Sequence, residues 1–288
     1  MNLNVNYWMV GGFEGEVGVV EAGIRAKNCG YDGIEPCFGA GVLTPDTTES
    51  ELESLRSELE REGVPVGSLA TGHYWTQSLS SPDPEERSAA VAFTKSYIRA
   101  ARLLGTDAVL VVPGSVDVGW DPSRPVVPVA QVWMLAEESL REVLPVAEEQ
   151  QVTVCIENVW NKFLTGPFEF AAFVDSFESP WLKAYFDVGN CLLTGYPEHW
   201  IEVLAERIGR VHFKNFSRRD CAGTLSDFTS SLLEGDVNWP AVMAALGAVG
   251  YDGNVAAEVI VGENAMPDLE QAARVAAEMR RIVAGNAQ

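Results

Sequence analysis

The chain is 288 residues long and carries 41 acidic against 20 basic side chains, a formal net charge of −21. A field of that sign repels a phosphate backbone, so nucleic acid is not an expected partner. The hydrophobic content of 47% suits a globular protein with a large core, and no run of about 18 apolar residues marks a membrane span.

Cys29, Cys37, Cys155, Cys191 and Cys221 are scattered without a C-x-x-C spacing, which points to reduced thiols rather than a disulfide framework or zinc knuckle. The first six residues lack a basic region followed by an apolar stretch, so no secretory signal is expected and the cytoplasm is the expected compartment. The Glu-rich stretches at 49–62 and 83–87 read as solvated helix faces.

In chain order, residues 4–10 have strand composition, and a helical segment follows to about residue 28, ended by Gly30. Residues 31–37 form a short strand with Glu35 near its end. A charged helix over about 47–62 leads to a strand-like run at 64–70 and then to His73, Tyr74 and Trp75. Pro82, Asp83 and Pro84 open a helix that reaches about Leu104. Residues 107–112 are almost wholly apolar, as a parallel strand covered on both faces should be. A Gly/Pro-rich loop at 113–124 precedes a long helix over about 127–149.

Three strand-like runs then end in metal-capable side chains: 152–158 with Glu157, 182–190 with Asp187, and 210–215 with His212. Helices near 167–177 and 197–206 bracket Asp187. The stretch 215–238 is long and irregular and reads as a binding loop or lid. A helix at 239–249, a strand at 254–259 carrying Glu258, and a final helix over about 269–284 complete the chain.

Eight strands alternating with helices predict one α/β domain over residues 1–288, a (β/α)8 TIM barrel, for which roughly 250 residues is typical. An open doubly wound sheet is the competing architecture. No Gly-x-Gly-x-x-Gly follows the first strand and no Walker-type Gly-Lys-Ser/Thr occurs, so nucleotide binding has no support. In a closed barrel, Glu157, Asp187, His212 and Glu258 would meet at the mouth formed by the C-terminal strand ends. Three buried carboxylates brought together are strongly unfavourable without a cation or a raised pKa. Carboxylates plus one imidazole, without thiolate, suit Mn2+ or Mg2+, with Co2+, Fe2+ or Zn2+ as alternatives.

The order Ile156-Glu157-Asn158, Phe186-Asp187-Val188-Gly189-Asn190, Val211-His212-Phe213-Lys214-Asn215, Glu234 to Trp239 and Ala257-Glu258-Val259 resembles the sugar phosphate isomerase/epimerase family of xylose-isomerase-like barrels, related to the ketose 3-epimerases. The resemblance spans nearly the whole chain, including Tyr31 to Glu35. It implies one divalent ion, Mn2+ first, held by Glu157, Asp187, His212 and Glu258. The two glutamates would also exchange a proton on the substrate carbon. It departs at Asn190, where ketose 3-epimerases have a histidine, and near Leu164, where they have a second glutamate.

Two bases about an enediolate give epimerisation, and proton return to the neighbouring carbon gives isomerisation. Glu35, His73, Asn158, Asn190, Lys214 and Arg218 are candidate contacts to a sugar or sugar phosphate, with structural hydrogen bonds or ion pairs as the competing roles. Trp75, Trp160 and Phe163 are candidate apolar walls. A lyase or dehydratase acting on a keto-sugar or keto-glycoside at the same site, and a non-catalytic sugar-binding barrel, are the alternative functions. A homo-oligomer is compatible with this reading.

Overall fold

The computed structural model describes residues 1–13, 15–39, 41–218, 228–259 and 267–285. Seven regular strands occur among them: β1 (Asn2–Asn6), β2 (Gly33–Glu35), β3 (Ala108–Val111), β4 (Thr153–Glu157), β5 (Leu182–Asp187), β6 (Ile208–Phe213) and β7 (Asn254–Ala257). All pair in parallel, in the order β2-β1-β7-β6-β5-β4-β3. The two edges of this ladder are joined by residues 66–70. Val66 bridges Ile34, Ala70 bridges Cys37, and Leu69 bridges Val109. The sheet therefore closes on itself as a barrel, and the open doubly wound alternative is excluded.

The expected eighth strand is thus present only as isolated bridges, and its sequence explains why. Pro65 has no N–H to donate, and only its carbonyl serves the ladder, accepting from the Ile34 amide at 3.0 Å. Gly67 lies against the buried Asn4 side chain, where an added Cβ would stand 2.6 Å from the Asn4 amide carbon. The first strand is also shorter than its composition predicts. The Asn6 Oδ1 accepts the Trp8 amide at 3.0 Å, which turns the chain out of the sheet and into the short helix α1 (Trp8–Gly11).

The crossover helices are α2 (Val19–Cys29), α3 (Glu49–Glu62), α4 (Pro84–Leu104), α5 (Val129–Gln150), α6 (Pro167–Asp175), α7 (Pro197–Leu204), α8 (Trp239–Ala248) and α9 (Leu269–Val283). Their ends follow local chemistry. Thr48 and Glu51 form a capping box on α3, Asp83 caps α4 ahead of Pro84, and Gly30, Gly63 and Gly105 close α2, α3 and α4 in the left-handed conformation. Among the described residues no helix is long and apolar enough to cross a membrane.

Strand side chains alternate between two environments. Outward residues such as Val5, Ile34, Val109, Ile156, Phe186, Val211 and Val255 join one apolar core with the helices. Inside the barrel the apolar content shrinks to a small separate cluster of Ala108, Leu110, Cys155 and Tyr185. Burial pushes the Cys155 thiol up to about 12 and the Cys37 thiol likewise, and Cys29, Cys37, Cys155 and Cys191 are all free. Cys221 lies outside the described residues. The rest of the interior is polar, with Asn4, Asn6, Glu35, Ser68, Asp187 and His212 all at 1% exposure or less.

Between β5 and β6 the register slips: Ala184 pairs with Ile208 but Tyr185 with Arg210, leaving Gly209 as the extra residue of a bulge. Beyond it, Asp187 stands opposite His212. The long stretch expected at 215–238 is described only at its flanks, and residues 219–227 lie outside the described residues. The flanks are tied down. Phe216 and Phe228 bridge antiparallel, and the Asn215 amide donates to the Leu232 carbonyl at 2.7 Å. The buried Glu278 of α9 accepts from Ser231 Oγ at 2.8 Å and from the Leu232 amide at 2.7 Å.

Candidate metal centre

Four strand ends bring Glu157 (β4), Asp187 (β5), His212 (β6) and Glu258 (just past β7) to one place at the C-terminal mouth of the barrel. One donor atom from each lies within 4.8 Å of all the others. His212 Nδ1 is 3.6 Å from Glu157 Oε1, 4.0 Å from Asp187 Oδ2 and 3.9 Å from Glu258 Oε2. His212 and Asp187 are fully buried, and Glu157 and Glu258 nearly so.

Two of these donors are orphans. His212 Nδ1 and Asp187 Oδ2 are buried without a hydrogen-bond partner, an arrangement that costs free energy unless something else fills the space. Both point into the four-residue group. Donor type and orphaned lone pairs together fit a hard divalent cation.

The imidazole is aimed from behind. His212 Nε2 lies 2.8 Å from Glu35 Oε2, so the ring donates there and keeps Nδ1 as an acceptor, an assignment made from the partners. Glu35 itself is saturated. It accepts from Asn6 at 2.8 Å, from Ser68 at 2.7 Å and from the Tyr185 hydroxyl. Burial works against its charge, yet His212, Tyr185 and Ser68 hold its carboxyl down at about 2. Glu35 was expected among the substrate contacts, and the structure places it behind the imidazole. It is fully buried beneath the histidine, with no free face toward the mouth.

The group as a whole attracts positive charge. Burial pushes the Glu157 carboxyl up to about 7, with Glu258 adding to the rise and His212 opposing it. Burial likewise raises Asp187, partly offset by Lys214. Burial would lower the His212 pKa, but Glu35 and Glu258 hold it well above its ordinary value. A cation bound at the centre would replace the Nδ1 proton of that charged form and leave Nδ1 as the lone-pair donor assigned above.

Lys214 follows His212 by two and points the same way. Its ammonium is 3.2 Å from Asp187 Oδ2, without hydrogen-bond geometry, pairs with Glu258 Oε2, and sits 4.9 Å from the Phe228 ring centre. Of the expected substrate contacts it is the one placed among the metal-capable carboxylates. Arg218 stands further out, its guanidinium 4.9 Å from the Tyr196 ring centre and 3.9 Å from Asp236.

The other expected contacts are occupied elsewhere. The Asn158 side chain brackets the Asp187 backbone, donating to its carbonyl at 2.9 Å and accepting its amide at 2.8 Å. The Asn190 amide hydrogens reach the Asn158 carbonyl at 3.1 Å, and its backbone N–H donates to Asp187 Oδ1 at 2.7 Å. Both residues thus hold Asp187 in place, because strand register puts their side chains against backbone. His73 stacks on Phe93 at 3.7 Å and bonds Gln77 at 3.0 Å, and does not join the four-residue group. Trp75 packs edge-on against Trp120, while Phe163 is buried against Trp133 and Phe173.

Sequence reasoning missed Asn6, Ser68 and Tyr185. The signal was available for two of them: Tyr185 precedes Asp187 by two on the same strand face, and Asn6 is two beyond the inward Asn4.

Comparison with known proteins agrees with this architecture. Over 229 residues the chain is 25% identical to an uncharacterized protein of Methanocaldococcus jannaschii, covering 77% of this chain and 72% of that one. The fold matches that of D-psicose 3-epimerase from Clostridium cellulolyticum H10, crystallised with D-tagatose, with a TM-score of 0.78 at 19% identity over 98% of this chain and 99% of that one. It also matches 3-keto-D-glucoside 4-epimerase from E. coli, with a TM-score of 0.72 at 14% identity over 98% and 99% of the two chains. With its closed parallel barrel and residues 24–282 matching the family's sequence pattern, the chain belongs to the xylose isomerase-like TIM barrel family.

Proposed function

We propose that the protein is a divalent-metal-dependent isomerase or epimerase of a sugar or sugar derivative that moves a proton on the carbon next to a carbonyl. The observation that carries this reading is the pair of orphaned donors, His212 Nδ1 and Asp187 Oδ2, facing a common centre with Glu157 and Glu258. The folds of D-psicose 3-epimerase and 3-keto-D-glucoside 4-epimerase, which act on sugars by their names, support it. Glu157, Asp187, His212 and Glu258 would hold the ion, with Mn2+ the first candidate. A bound divalent ion supplies Lewis acidity toward the sugar's carbonyl and neighbouring hydroxyl oxygens.

The chain's own groups do the rest. Glu157 and Glu258 are the proton-transferring carboxylates. Removal of the α-proton by one and its return by the other inverts the carbon; return to the adjacent carbon isomerises the sugar. In this reading Lys214 would set its ammonium against an enediolate's negative charge, and Arg218 would meet the distal end of the substrate.

The test is incubation of the Mn2+-loaded protein with a panel of ketoses, keto-glycosides and sugar phosphates in D2O. Deuterium is expected next to a carbonyl in at least one member, lost on chelation and in Glu258→Gln. Release of water or an aglycone instead would assign a lyase. Sugar affinity without exchange would leave a binding protein.

A further inference from the structure

A cavity of about 470 Å3 lies on the C-terminal face beside the metal-capable group, between the loops that follow β3, β4 and β5. It reaches Asn158 and Asn190, the neighbours that hold Asp187, and is walled by Trp160, Leu164, Leu193 and Trp200. Its size falls in the range of small-molecule sites, roughly 300–1,000 Å3.

The wall is built rather than incidental. Lys162 and Leu164 both have left-handed backbone, with φ of 60° and 54°, a conformation that side-chain-bearing residues adopt only when the surroundings enforce it. Asn161 enforces it, donating to the Gly114 carbonyl at 2.6 Å and accepting the Phe163 amide at 2.9 Å. Trp160 is fixed by its indole N–H on the Asn190 carbonyl at 2.9 Å and by stacking on Phe228 at 4.9 Å. Phe228 in turn lies 4.9 Å from the Lys214 ammonium, so one aromatic layer links the cavity to the charged group.

The charged members of this wall, Lys162 and Asp117, pair with each other, and Thr165 and Thr194 are its polar side chains besides the two asparagines. Hydroxyls taken out of water need partners, and the Asn158 and Asn190 amide hydrogens are already committed to backbone. Two large apolar side chains remain uncovered at the rim, Trp120 at 52% exposure and Leu193 at 39%. We propose that the cavity is a subsite for an apolar, ring-sized substituent, so that the enzyme takes its sugar as a keto-sugar glycoside with an aryl or similar aglycone, the ring ketone supplying the carbonyl whose neighbouring proton moves. This rests on the sugar-site reading above and names its substrate class.

The test compares the 4-nitrophenyl and methyl 3-keto-β-D-glucopyranosides by calorimetry on the Mn2+-loaded protein. The aryl glycoside is expected to bind about tenfold more tightly or better, the factor that follows from removing a phenyl-sized group from water. Leu164→Glu should abolish that preference while lowering the thermal transition, because the side chain is buried, and the rim variant Leu193→Glu should reduce it at least threefold with Mn2+ affinity and the thermal transition unchanged. Equal affinities, no binding of either glycoside, or a preference that survives both variants would overturn the subsite. If Leu164→Glu fails to fold, Leu193→Glu decides. Mn2+ titration without sugar keeps the two readings apart. Aryl preference without metal binding would remove the proposed chemistry and leave the subsite; metal binding and exchange on free ketoses without aryl preference would do the reverse.

Discussion

The two faces of the barrel wall are made of different matter. On the outer face, Val5, Ile34, Val109, Phe186 and Val211 meet the helices in one continuous apolar core, while on the inner face Asn4, Asn6, Glu35, Ser68 and His212 occupy equivalent strand positions. Barrels of this kind commonly fill their interior with bulky aliphatic layers. Among the described residues the separate inner apolar cluster is Ala108, Leu110, Cys155 and Tyr185. The jacket therefore carries most of the stability by burial, and the lumen is given over to hydrogen bonds that orient the ligand-bearing side chains. A strand serves both because its side chains alternate.

That division can be broken by experiment. The largest effect on stability is expected in the jacket. Leu140→Ala removes a fully buried side chain of α5 and should cost about 2–5 kcal/mol in denaturant unfolding. Mn2+ affinity should not change, and a parallel loss of affinity would show that jacket and lumen are not separable.

In the lumen, Glu35→Ala should weaken Mn2+ binding by about 10–100-fold, equivalent to about 1.4–2.7 kcal/mol, because the His212 ring loses the acceptor that fixes its tautomer and angle. Glu35→Gln should recover part of this, since its carbonyl can still accept from Nε2. Unaltered affinity in Glu35→Ala would reduce the carboxylate to a packing element. The smallest effect belongs to a position in neither region. Thr48→Ala deletes the cap of α3 and should cost about 1 kcal/mol with no change at the metal site.

The sequence made the outer face and the strand ends legible and left the inner contacts largely dark. Glu157, Asp187, His212 and Glu258 stand out because each closes an apolar run, and a closed barrel leaves them only one place to meet. Trp8, Met9 and Val10 extended the first strand too far because an apolar run does not show that Asn6 will capture the Trp8 amide. Residues 64–70 carried enough β composition for a strand, but Pro65 and the crowding of Gly67 against Asn4 reduce them to bridges. Asn158, Asn190 and Glu35 were expected at the substrate. Their partners are the Asp187 backbone and the His212 ring, contacts fixed by cross-strand register that one strand's sequence does not contain.

The bulge at Gly209 has a consequence for how this site tolerates change. Ile208 pairs with Ala184 and Arg210 with Tyr185, so the strand is re-phased just before it delivers the imidazole. A Cβ at Gly209 would stand 2.7 Å from Cys155 Sγ, which keeps that joint slim. Any side chain at that joint would have to push the Cys155 sulfur aside, so the phase in which the imidazole reaches the mouth hangs on a residue that has none.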